Sequence, residues 1–141
     1  MSGLDVEKLK ETLVSDELDE KWDEIIEDHL DDKAEQIILS NWVQDYRDEF
    51  LELIEDVQNR EEIAQSLRIR YIEIKCHWMM LNTRMQYQAV ETGSPSQNLM
   101  VRGSLISHLL EKLEQFLETD EIEELANFLS QPMAKLKNSD L

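Results

Sequence analysis

The chain has 141 residues, with 32 Asp and Glu against 14 Lys and Arg and a formal net charge of −18. That length suits one domain with a modest core, and the charge disfavours attachment to nucleic acid or to anionic membranes. Its single cysteine, Cys76, excludes an internal disulfide and fits a reducing compartment, so a cytoplasmic setting is expected.

The acidity is uneven. Residues 1–60 hold 20 acids and 6 bases, a net of −14, residues 61–118 hold 7 and 6, a net of −1, and residues 119–141 come to −3. Neither glycine nor proline occurs between Gly3 and Gly93, whereas a β-rich chain needs turn residues at much closer spacing. The expected fold is therefore all-α, a helical bundle organised around a long antiparallel hairpin. The opening MSGLDVEKLKETL lacks the basic start and unbroken apolar run of a signal peptide, and no stretch approaches membrane-spanning length. Residues 1–132 are expected to form a single acidic helical domain and 133–141 a flexible C-terminal tail.

In chain order, Leu4 to Val14 is a short amphipathic stretch with Val6, Leu9 and Leu13 on one side. Ser15 is placed to cap a helix whose first turns carry Asp16, Glu17, Asp19 and Glu20, where the dipole favours acids. Leu18, Trp22, Ile25, Ile26, His29 and Leu30 line its buried face. At Asp31-Asp32 the stripe breaks; either Asp32 and Glu35 cap a new helix or the helix runs through.

A continuous helix is expected from Ala34 to Val57, burying Ala34, Ile38, Trp42, Tyr46, Phe50, Leu53 and Val57. Its other face carries Asp45, Asp48, Glu49, Glu52, Glu55 and Asp56, with Arg47 as the lone base. Tertiary packing must outweigh their mutual repulsion, a few tenths of a kcal/mol per pair. These six carboxylates are the expected binding surface for a basic protein partner.

Residues 59–117 form the expected hairpin. Ile63, Leu67, Tyr71, Ile74, Trp78, Leu81 and Met85 share one helical face, and Ile72, Met79 and Met80 widen it enough to meet neighbours on more than one side. Asn59 and Glu62 suit a capping box, Gly93 a left-handed helix end, Pro95 a stop and Ser96 the next cap. The returning helix buries Leu99, Ile106, Leu109, Leu110, Leu113, Phe116 and Leu117. Thr119 or Asp120 opens a last helix with Ile122, Leu125 and Leu129 inside, ended by Pro132.

Residues 59–74 also resemble a helix-turn-helix in their apolar spacing. Arg68, however, stands where the turn needs a left-handed residue, and nothing from Gln65 to Ile72 breaks a helix. Direct nucleic-acid binding is therefore not expected. His29, His77 and His108 lack the ExxH or HxxxH spacing of helical metal sites, and Cys76 and His77 diverge by about 100° on a helix. With no phosphate loop, nucleophile elbow or Cys-His signature, neither an enzyme nor a cofactor is expected.

The long helix, the loop ETGSPSQN and the returning leucine-rich helix resemble the oligomerisation core of tailed-phage small terminase subunits, some of which also have an opening like MSGLDVEKL. That resemblance implies a ring-forming, non-enzymatic protein that helps a packaging motor recognise genome ends. The chain departs from the family in its acidic N-terminal half, where many members carry a basic DNA-binding module, and no functional residue carries over. Trp22, Trp42, Trp78, Met79, Met80, Met85, Phe116 and Phe128 exceed what one thin core needs, which points the same way, to a homo-oligomer. The competing expectation is an acidic inhibitor, such as an immunity protein or DNA mimic, whose carboxylates occupy a basic site on its target.

Overall fold

In the computed structural model, residues 5–55, 59–118, 120–125 and 127 are described, and these form helices without any strand. The helices are α1 (Val6–Leu13), α2 (Asp16–His29), α3 (Lys33–Glu55), α4 (Arg60–Thr92) and α5 (Gln97–Glu114). Each begins where a short polar side chain takes up an otherwise unpaired amide. Asp5 accepts from Lys8 N at 3.1 Å, Ser15 from Glu17 N at 3.2 Å and Asp32 from Ala34 N at 3.0 Å. Asn59 accepts from Glu61 N at 2.8 Å and Ser96 from Leu99 N at 3.2 Å. Such a cap stabilises a helix by about 1 kcal/mol.

Helix α5 is the axis of the bundle. Its buried residues, Val101, Gly103, Leu105, Ile106, Leu109, Leu110 and Leu113, wrap about 200° of its circumference at 100° per residue, and it touches all four other helices. Helix α4 runs antiparallel to it: the Tyr71 hydroxyl donates to Glu114 at 2.6 Å near one end, and Met85 meets Gly103 near the other. The turn between them uses Gly93 at φ 90°, a conformation open to glycine because it has no Cβ. Helix α2 crosses α5 through Trp22, which is 1% exposed and whose Nε1 donates to the Leu105 carbonyl at 3.3 Å. Helix α3 lies antiparallel to α4, with Tyr46 opposite His77 and Glu49 opposite Arg70. One core cluster draws buried residues from all five helices.

The chain does break at Asp31-Asp32, and the Gln36 amide donates to the Leu30 carbonyl at 2.6 Å to hold the corner. Helix α4 runs unbroken from its cap at Asn59 past Ile74, so there is no helix-turn-helix there. Arg68 pairs with Glu121, Arg70 is buried against α3 and Lys75 lies over Trp78.

The expected core face of α3 is corrected. Leu39, Val43, Phe50 and Ile54 are its buried residues, while Trp42 and Tyr46 are half-buried and Ala34, Ile38 and Leu53 are exposed. The reason is rotation: steps of four residues drift about 40° each around a helix. A run from Ala34 through Ile38, Trp42 and Tyr46 to Phe50 therefore cannot face one direction. His29 is likewise exposed, its Nδ1 lying 2.9 Å from the Ile25 carbonyl, and Leu99 and Phe116 are half-buried. Ile122 and Leu125, on helical turns at 120–125, pack against the core half-buried. Leu4, Asp56, Val57, Thr119, Phe128, Leu129, Pro132 and the tail 133–141 lie outside the described residues.

Candidate functional site

Helix α3 places Asp45, Asp48, Glu49, Glu52 and Glu55 within one arc of about 120°, all of them exposed. Asp56 lies outside the described residues. The arc is not uniform. Arg47 Nε is 3.2 Å from Asp48, and Arg70 Nη2 of α4 is 2.6 Å from Glu49. No cation is placed against Asp45, Glu52 or Glu55 among the described residues.

Arg47 also joins this surface to α2. Its Nη1 is 2.6 Å from Asp19, its guanidinium lies 5.5 Å from the centre of the Trp22 ring, and its side chain is only 11% exposed. Asp16 and Asp23 stand one turn either side of Asp19 and are exposed, as is Glu20. The acidic face is thus two helices wide, with a mostly buried arginine drawing its two halves together. Nothing in the sequence links Asp19 to Arg47 across the α2–α3 corner; only the antiparallel packing does.

On the α4 side of α3, an aromatic and cationic cluster borders the acids. Trp42 and Tyr46 meet edge to face at 5.4 Å, and Arg102 of α5 lies 4.7 Å from the Trp42 ring centre. The Tyr46 hydroxyl and His77 Nδ1 share a hydrogen bond of 2.8 Å. Arg70 stacks 5.5 Å from the Tyr46 ring and bonds both Glu49 and Glu73. Burial raises the Tyr46 pKa above its ordinary value, with Arg70 opposing the shift. Half-buried aromatic bodies with polar tips at the water boundary explain why Trp42 and Tyr46 are not core residues.

The other flank of α4 carries a groove of about 520 Å³ between α2, α4 and α5, bounded by Ile25, Trp78, Met85 and His108. Gly103 forms part of it, and an interior helix glycine is the sequence signal that such a close approach leaves. Burial first, then Lys112, holds the His108 pKa below its ordinary value. His108 Nδ1 is 3.7 Å from Glu111 Oε2, beyond hydrogen-bond length, and neither Ser104 nor Ser107 is bonded to it. Among the described residues, no three His, Cys, Asp or Glu side chains converge to hold a metal ion. No helix among them is long and apolar enough to cross a membrane.

The outward side of α4 is a third surface. Ile69, Met80, Tyr87 and Val90 are exposed there, although they are apolar or largely so. Of these, only Met80 belongs to the widened stripe read from the sequence, with Ile72 and Met79; Ile69, Tyr87 and Val90 do not. Comparison with protein families, curated proteins and solved structures yields no match to this chain.

Proposed function

We propose that this chain is a non-enzymatic interaction protein of a larger assembly, which engages a partner's basic surface through the acidic face of α2 and α3 and associates with copies of itself. The observation that supports this most is the joining of two rows of exposed carboxylates across Arg47. A field of one sign two helices wide steers a cationic partner and speeds encounter, while the half-buried aromatics beside it offer contact area for specificity. The sharpest version is a genome-packaging subunit similar to the small terminase, acting in the host cytoplasm. It draws on the sequence resemblance of the 59–117 hairpin. The carboxylates of Asp45, Glu52 and Glu55, which have no cation against them among the described residues, favour a second reading, in which the protein is an acidic inhibitor that occludes a basic site on a target.

Charge reversal tests both readings. Asp48→Lys, Glu52→Lys and Glu55→Lys together should leave the circular dichroism spectrum unchanged, because all three residues are exposed. Used as bait in source-cell extract, the variant should lose the proteins that wild type retains at low salt and releases as salt rises. Equal retention by both baits would show that the acids serve only solvation.

A further inference from the structure

The outward face of α4 repeats every seven residues. Ile69, Cys76, Thr83 and Val90 are spaced by seven, Ile72, Met79 and Gln86 fall three residues after the first three of them, and Met80 and Tyr87 flank the row. That is the spacing of a helix-on-helix seam, and it lies opposite the stripe of Ile74 and Leu81 that α4 gives to the core. Exposure along it is 50% at Ile69, 64% at Met80, 68% at Tyr87 and 86% at Val90. The Thr83 hydroxyl already donates to the Met79 carbonyl at 3.0 Å, so it adds no unpaired polar group. The charged residues along the edges are held within their own chain: Glu73 by Arg70, Arg68 by Glu121, and Lys75 over Trp78.

We propose that two copies of this chain pair antiparallel through this face of α4, forming a two-fold dimer. The inference deepens the assembly reading above and rests on its claim of self-association. Three observations select a second copy running in the opposite direction. Each copy carries −18, so self-association needs a surface where like charges do not meet, and the seam lies in the part of the chain, 61–118, whose net charge is −1. The uncovered side chains from Ile69 to Val90 run along about six turns of one unbroken stretch of helix, a length that a second α4 matches. The acidic end of α3 lies beside the N-terminal half of α4, where Glu49 meets Arg70. Antiparallel pairing sends those acidic ends to opposite poles of the dimer, whereas parallel pairing sets them side by side. A two-fold axis near Leu81 then brings Ile72 against Val90 of the other copy, Met79 against Thr83, and Cys76 against Gln86.

Mass by light scattering of the full chain, from low to high micromolar, tests the pairing. Wild type should have twice the monomer mass, and Met80→Glu with Tyr87→Glu should halve it without changing the circular dichroism spectrum, since both residues are exposed. A wild-type dimer that survives this double substitution would overturn the seam while leaving self-association intact. A monomeric wild type would overturn both, and a larger ring would overturn the two-fold pairing. Direction is read by cross-linking under a mild oxidant. Gln86→Cys should form a covalent dimer that is lost when Cys76→Ser is added. Covalent dimers from wild type alone, through Cys76 on both copies, would instead show parallel pairing.

Discussion

The two hairpins of this bundle each bury an apolar face and differ in what they leave outside. The α2–α3 hairpin turns carboxylates to water, and its outward face is a charged field held in line by Arg47. The α4–α5 hairpin is nearly neutral, and α4 turns an uncharged, mostly apolar row outward. Burial of a core stripe thus explains the inner face of each helix but leaves its outer face undetermined. A like-charged surface suits a different, cationic molecule, and an uncharged apolar row suits a copy of the same chain. The comparison teaches that net charge, which looks like a property of the whole chain, is divided between two surfaces of different character.

The largest effect is expected where the hairpins are joined. Trp22 belongs to the acidic hairpin but is buried against α5 and bonded to Leu105, so Trp22→Ala should destabilise by about 3–5 kcal/mol. Trp42, half-buried at the boundary, should lose only about 1–2 kcal/mol on the same truncation. Chemical denaturation of both variants measures the difference, and equal losses would mean that α3 packs by the face that contains Trp42.

A middle-sized effect lies inside the neutral hairpin. Tyr71 is 4% exposed, and its hydroxyl donates to the Glu114 carboxylate at 2.6 Å, a charge-assisted bond. Tyr71→Phe should cost about 1–2 kcal/mol at neutral pH. Burial, the hydrogen bond to Glu114 and the charge of Glu114 all raise the folded Tyr71 pKa above its ordinary value of 10.0. The unfolded chain therefore releases this proton first. The contribution is fully present below about pH 10 and fades as pH rises above it. Denaturation midpoints across the alkaline range should fall more steeply for wild type than for Tyr71→Phe, and parallel curves would contradict the assignment.

The smallest effect concerns Gly103. A Cβ there would stand 3.2 Å from Met85 Cε, the free end of a flexible side chain beside the groove, which has room to move. Gly103→Ala should raise stability by about 0.5–1 kcal/mol through helix propensity. A loss in thermal denaturation would show that the methionine is held in place.

Much of this fold is legible in the sequence because its punctuation is chemical. Ser15, Asn59, Gly93, Pro95 and Ser96 mark helix ends with side chains that can do little else, and the structure uses Ser15, Asn59 and Ser96 as caps and Gly93 as the left-handed turn residue. The phase of α3 was not legible. Trp42 and Tyr46 are the bulkiest residues on that helix, and at a spacing of four they suggest a core stripe. Amphipathic aromatics also serve at a boundary where arginines stack on them. The acidic arc on α3 was readable as a pattern, but its extension onto α2 through Arg47 depends on packing between helices that sequence spacing does not encode.

The proposed division of labour between the two outer faces is tested most directly by measuring mass and partner retention on the same pair of variants. The Asp48, Glu52 and Glu55 reversal to Lys should keep the wild-type mass and lose the salt-sensitive partner. The Met80→Glu, Tyr87→Glu variant should fall to monomer mass and keep that partner. If either variant loses both properties while its circular dichroism spectrum is unchanged, the two faces act as one surface, which contradicts the proposed division.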